Sequence, residues 1–218
     1  PSFPCGAEVS WYVTATTVSG VEPTFPDTAP ARPFSSLVGS AIATVRYDDF
    51  ETDAGWTGGL PGDTALRGAW VRDVPIGTQA EPGGGFVAGN GRQCWFTAQQ
   101  VFANVNDSDV DFGFTTLLSP VLDLTGLAYP TIEYERWFSN ALGNNAPDDA
   151  FVVEISNDAG VTWTTLEVVG PLGPGTEGGW RQAAFLVTAF VVPPGQVQLR
   201  FLASDTGAPD LGAAALNV

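Results

Sequence analysis

Without histidine, the acid–base chemistry open to this sequence falls to its carboxylates. There are 24 Asp and Glu against 8 Arg, with no His and no Lys, for a formal net charge of −16. Ser–His–Asp triads, Cys–His pairs, lysine Schiff bases, phosphate-binding lysine loops and histidine-ligated zinc are therefore excluded. Two uses of carboxylates remain. One is paired acid and base catalysis on a glycosidic bond, and the other is oxygen ligation of a hard cation such as Ca2+.

The first use is tested by Glu133 and Glu135, which alternate with apolar residues in Ile132-Glu133-Tyr134-Glu135-Arg136-Trp137. Strand side chains two residues apart share a face, at about 7 Å along the chain. That separation falls between those of retaining and inverting glycosidases. Both acids nevertheless stand on one strand's polar face, whereas a catalytic pair flanks the bond it cleaves, so a carboxylate glycoside hydrolase is the weakest of three readings. Trp137 falls on the same face as the two Glu, and a flat ring beside hydrogen-bond acceptors suits sugar recognition. The competing reading puts Trp137 in a core or an interface. Trp70, Trp95 and Trp180 stand beside glycine or loop sequence and are further ligand-binding candidates, although most of the seven Trp are expected in the core because each buries a large area.

For the second use, Asp49 and Glu51 share a strand face. Asp109, Asp111, Asp149 and the amide oxygen of Asn140, all in loop-like sequence, complete a set of candidate ligands for a structural Ca2+. The competing reading is that these acids are solvated turn residues and caps.

Many short strands must position these groups. Gly 26 and Pro 17, about a fifth of 218 residues, cut the chain into pieces too short for long helices. Strand signals fall at 8–16, 68–74, 86–89, 93–98, 115–123, 131–138, 150–156, 161–169, 180–187 and 196–203. Gly-rich or Asp/Asn-rich connectors separate them, a pattern expected of two packed antiparallel sheets. Pro23, Pro26, Pro30 and Pro33 interrupt residues 22–34, which reads as an edge or linker because proline donates no ladder hydrogen bond. Residues 1–45 hold too little strand to bury a core alone and are expected to pack on the remainder of the chain.

Composition also bounds the partners. With 44% hydrophobic residues the chain folds around a real core. Its acidity opposes nucleic acid, whose binding rests on Lys and Arg, and no apolar run is long enough to insert in a membrane. Cys5 and Cys94 are the only cysteines, and the reading leaves open a disulfide between them or two separate thiols. Pro1 opens the chain without a secretion signal, as expected of a processed product or a piece of a longer polypeptide.

Several segments, in order, resemble the MAM-like jelly-roll modules that end many bacterial secreted hydrolases. They are Asp49-Phe50-Glu51 with Gly55-Trp56, Leu118-Ser119-Pro120 with Asp123-Leu124, Ile132 to Trp137, and Val197-Gln198-Leu199-Arg200-Phe201. Val9-Ser10-Trp11-Tyr12-Val13-Thr14-Ala15, with Gly20 and a proline-rich exit, resembles the tail of an immunoglobulin-like or fibronectin type III-like domain. Ser156-Asn157-Asp158-Ala159-Gly160-Val161-Thr162-Trp163 is similar to the structural Asp-box turn of sialidases. The resemblance implies an all-β antiparallel jelly-roll sandwich over 46–218, preceded by a domain remnant and linker over 1–45. It also implies an extracellular or cell-surface accessory module without catalysis, attached to a larger parent polypeptide and binding a glycan or an extracellular protein. A structural spacer or surface-assembly domain is the alternative. Such modules usually close on an acidic strand that helps complete a cation site, whereas this chain ends Ala213-Ala214-Ala215-Leu216-Asn217-Val218.

Overall fold

The computed structural model describes residues 6–26, 29–31, 33–39, 41–86, 92–99, 109–142, 148–205 and 213–217. The chain divides into two compact units, residues 1–46 and 47–218. In the first, β1 (Glu8–Trp11) pairs with β4 (Phe34–Leu37), and β2 (Val13–Thr14) with β3 (Thr24–Phe25), both antiparallel. The strand expected at 8–16 thus breaks at Tyr12. The proline-rich stretch expected to be a connector supplies β3, which fits because Pro23 and Pro26 flank that strand and take no place in its ladder. Phe34 gathers Trp11 and Phe25 around it, at ring-centroid distances of 4.6 and 5.2 Å.

The second unit is the sandwich. Its strands are β5 (Thr57–Gly58), β6 (Trp70–Asp73), β7 (Cys94–Thr97), β8 (Gly113–Leu118), β9 (Leu122–Asp123), β10 (Thr131–Ser139), β11 (Ala150–Ser156), β12 (Thr164–Val169), β13 (Glu177–Leu186), β14 (Gln196–Asp205) and β15 (Ala213–Asn217). The front sheet has the order β13-β10-β15-β7-β6 and the back sheet β12-β11-β14-β8-β5, with β9 added on β14. Every pairing is antiparallel. The fold is therefore the all-β antiparallel sandwich expected.

Several elements of the second unit differ from the pattern reading. The run at 115–123 is two strands, because Pro120 donates no ladder hydrogen bond and the register with β14 shifts by one residue, from Leu118 opposite Arg200 to Leu122 opposite Val197. The terminal strand β15 carried no signal, since alanine-rich sequence has weak β propensity. It lies between β10 and β7, at the centre of the front sheet. Of the segment 86–89, Phe86 is not in a strand and the rest lies outside the described residues.

Alternation decides which side chains meet. On β14, Val197, Leu199, Phe201 and Ala203 point inward, and on β11 Phe151, Val153 and Ile155 do the same. From the front sheet Tyr134 meets Phe201 edge-on at 5.2 Å, and Phe138 stacks on Phe151 at 6.0 Å. One inward position of β10 is charged. Arg136, only 7% exposed, reaches Glu167 on β12 through Nε at 2.9 Å and Nη2 at 2.6 Å. The Tyr134 hydroxyl donates to the same carboxylate at 2.9 Å. Burial first, then the Glu167 charge, pushes the Tyr134 hydroxyl far above its ordinary pKa, so it remains a donor.

Candidate functional site

The outer face of the front sheet carries the first group of candidates. Glu133, Glu135 and Trp137 project there, and across from them on β13 stand Ala184, Gln182 and Trp180. Glu133, Gln182 and Ala184 are exposed, while Glu135 is half-buried and burial raises its carboxyl above the ordinary value. Trp137 and Trp180 meet edge to face at 6.0 Å, with Phe86 at 5.9 Å from Trp180. The face is thus a ledge, acidic and amide-bearing along β10 and β13, that ends in an aromatic cluster.

Trp137 is itself half structural. Its Nε1 donates to Ala80 O at 2.7 Å, and with Trp180 and Val71 it packs against buried Cys94 and Phe96. Residues 74–86 form a loop against this cluster, with Pro75, Ala80, Glu81 and Pro82 buried. Thr78 shapes the loop by accepting from the amides of Ala80 and Glu81, both at 3.0 Å. Gly178, at φ +79°, is required under the ring, because a Cβ there would lie 3.2 Å from Trp137. Burial, then the Glu81 charge, raises the Cys94 thiol well above its ordinary pKa; Cys94 is unbridged in the structure, and Cys5 lies outside the described residues. Trp70 and Trp95 are in the core, at 3% and 9% exposure, so neither presents a ring to solvent. Their inward register, not the glycine or loop sequence nearby, decides this.

The metal candidates separate to opposite ends of the sandwich. Asp49 and Glu51 are not on the strand expected: residues 50–52 bend, with Phe50 at φ 60°, and Asp49 Oδ1 accepts from the Glu51 amide at 3.1 Å, while Glu51 Oε1 accepts from the amides of Arg92 and Gln93, just before β7. Their neighbour Asp48 holds Trp56 Nε1 at 2.8 Å. Asn140, Asp149, Asp109 and Asp111 lie at the other end, where β10 stops and β8 and β11 begin. All four are buried, and Asp111 faces Arg67 Nε at 3.7 Å. Asp205, at the end of β14, is buried at this end as well, and its Oδ2 accepts from the Phe112 amide at 2.9 Å. Sequence reading missed Asp205, although it continues the inward series from Val197. Among the described residues, no three of His, Cys, Asp and Glu gather as a metal-holding group.

No protein-family model matches the chain, and no curated protein matches it in sequence. Solved structures resemble it at low identity. One is the K1 cleaved adhesin domain of Lys-gingipain from Porphyromonas gingivalis, with 18% identity over 80% of this chain and 95% of that one, at a TM-score of 0.45. A family 11 carbohydrate-binding module of a cellulosomal cellulase of Clostridium thermocellum shares 11% identity over 82% of this chain and 93% of that one, at 0.40. A cyclase from Fischerella sp. shares 14% identity over 82% and 87%, also at 0.40. Such likeness assigns neither ligand nor reaction to this chain. No helix among the described residues is long and apolar enough to cross a membrane.

Proposed function

We propose that the chain is a non-catalytic binding module of an extracellular protein, with the outer face of the front sheet as its ligand surface and a glycan as its ligand. The observation that carries this reading is the ledge itself. Exposed Glu133 and Gln182 and half-buried Glu135 offer acceptors and an amide beside the rings of Trp137, Trp180 and Phe86. Sugar hydroxyls donate to carboxylates, and the apolar face of a pyranose packs on an aromatic edge or face. The two Glu stand on one strand and one face, so they sit beside a bound chain and do not flank a scissile bond.

The reading is tested by screening the 218-residue protein on a glycan array against a Glu133→Gln/Glu135→Gln variant. These substitutions avoid Trp137, whose removal would also strip the packing over Cys94 and Phe96. Binding by the parent and at least about a tenfold loss in the variant is the expected result, since each charged hydrogen bond is worth about 1.5–3 kcal/mol. A parent protein that binds no glycan leaves the spacer or protein-contact reading in its place.

A further inference from the structure

Four strands form the edges of the two sandwich sheets, β13 and β6 in front and β12 and β5 behind. A bare edge is a template for a further strand, and sheets blunt it by shortness, charge, proline or a bulge. Three of these edges are blunted. β5 has two residues, β6 has four with Arg72 and Asp73 among them, and β12 is bulged where its register with β11 shifts between Val153 and Glu154. β13 differs, since it runs for ten residues and its register with β10 is unbroken from Trp180 to Leu186. Its segment Gln182-Ala183-Ala184-Phe185-Leu186 holds no charge and no proline.

Hydrogen-bond parity shows which groups that edge presents. Val187 N donates to Pro130 O at 2.9 Å, one step beyond the pair of Thr131 and Leu186. Residues of an antiparallel ladder alternate between pairs that bond each other and pairs whose amides and carbonyls point away. Phe185, Ala183 and Arg181 therefore bond their partners Ile132, Tyr134 and Arg136. Leu186, Ala184, Gln182 and Trp180 turn their N–H and C=O to the open side, where no backbone group among the described residues bonds them. The side chains of Gln182 and Ala184 are exposed on the outer face, while Phe185 packs on Tyr134 at 6.0 Å and on Phe190 at 5.8 Å.

We propose that the β13 edge takes an extended segment of a basic partner protein as a sixth strand of the front sheet. The main chain supplies adhesion over Gln182–Leu186, and alternate side chains select the partner. Selection is for positive charge. Ala184 stands between the open edge and Glu133, the residue paired with it on β10, and its methyl group leaves the way across open. An added strand lies about 9.5 Å from β10, two strand spacings, and a Lys or Arg opposite Ala184 lays its stem over that methyl to reach the Glu133 carboxylate. Glu133 is exposed, and the arginines nearest in the ladder, Arg136 and Arg181, belong to the other face. A second copy is disfavoured as the occupant because each chain carries a net charge of −16. The inference goes beyond the glycan reading and can fail without it, since the backbone of an edge carries it and not the aromatic cluster.

The experiment titrates the 218-residue protein with two capped peptides, Val-Lys-Val-Lys-Val-Lys-Val and its counterpart with Glu in place of Lys, and follows amide shifts and amide exchange by NMR. In the free protein the amides of Gln182 and Ala184 should exchange about a hundredfold faster than those of Ala183 and Phe185. The Lys peptide should slow both by about tenfold at saturation, and the Glu peptide should bind at least about fivefold more weakly. Ala184→Pro separates the edge from general attraction between opposite charges. Its ring replaces an N–H that β10 does not use, so the fold is kept, the net charge is unchanged, and binding of the Lys peptide should fall by about tenfold or more. The variant retains Glu133, Glu135, Gln182 and both tryptophans of the ledge, so glycan binding should persist in it. Equal peptide binding by this variant, or no binding of the Lys peptide by the parent protein, overturns the proposal. Should Ala184→Pro fail to fold, the parent's exchange pattern decides: slow amides at Gln182 and Ala184 without peptide would mean that the edge is already closed, and fast amides that the Lys peptide slows uphold it.

Discussion

Arg136 is a charged residue at an inward position of β10. Its guanidinium sits in the core layer and is answered by Glu167 from the other sheet, with Tyr134 completing the carboxylate's contacts. Removing one partner leaves a buried charge without compensation, which costs about 3–5 kcal/mol. Glu167→Ala is accordingly expected to lose about that much in urea unfolding, while Tyr134→Phe, which deletes one hydrogen bond and no charge, should lose about 1–2 kcal/mol. Equal losses would contradict the charge argument. Strand alternation puts Arg136 on the face opposite Glu133 and Glu135, but the sequence offers no sign of its partner 31 residues away. Trp70 and Trp95 teach the converse. Their place beside glycine or loop sequence suggested exposure, and the strand register buried them.

At the scale of the element, the turn between β11 and β12 shows how local sequence builds a rigid unit. Asp158 accepts from the Ser156 hydroxyl at 2.7 Å and from the Thr162 amide at 2.8 Å, while Trp163 Nε1 donates to Gly160 O at 3.1 Å. Arg200 lies 4.4 Å over the Trp163 ring and bonds Glu154, tying the hairpin to β14. The Thr162 hydroxyl and amide, then Ser156, hold the Asp158 carboxyl at about 2, below its ordinary 3.8. A carboxyl depressed on folding stabilises fully above the unfolded value and ceases to as pH falls through the folded one. The stability gap between the parent protein and Asp158→Asn should therefore be constant from neutral pH down to about 4, narrow below that, and close near pH 2. A gap that persists at pH 2 would place the effect in packing. This turn was legible because the hydrogen bonds of Asp158 and of Trp163 Nε1 all close within residues 156–163. The 74–86 loop was not, since its docking depends on Trp137, 57 residues from Ala80.

For the whole molecule, the division at Arg46 is the feature with the plainest consequence. The sandwich has a contiguous core of its own, from Phe50 and Trp56 through Phe201. The first unit's aromatic residues stay open, with Trp11 at 45% and Phe25 at 66% exposure. Arg46 is exposed and Lys is absent, so brief trypsin treatment should cut there early and leave 47–218 folded. The fragment is expected to melt within about 4 °C of the parent protein, a shift equivalent to no more than about 1–2 kcal/mol. A collapse of its melting transition would show that the first unit is part of the sandwich's stability.

The sequence by itself determined the strand content, the alternation that puts Glu133, Glu135 and Trp137 on one face, and the internally bonded turn at 156–163. Each depends on side-chain period or on contacts within a few residues. Only the tertiary structure decided that β15 closes the front sheet, that Trp70 and Trp95 are core, and that Asp205 joins Asn140 and Asp149 at one end while Asp49 and Glu51 lie at the other. Those outcomes turn on which strands become neighbours, and pairing between residues far apart in sequence is set by the summed burial of the whole sandwich, which no local pattern records.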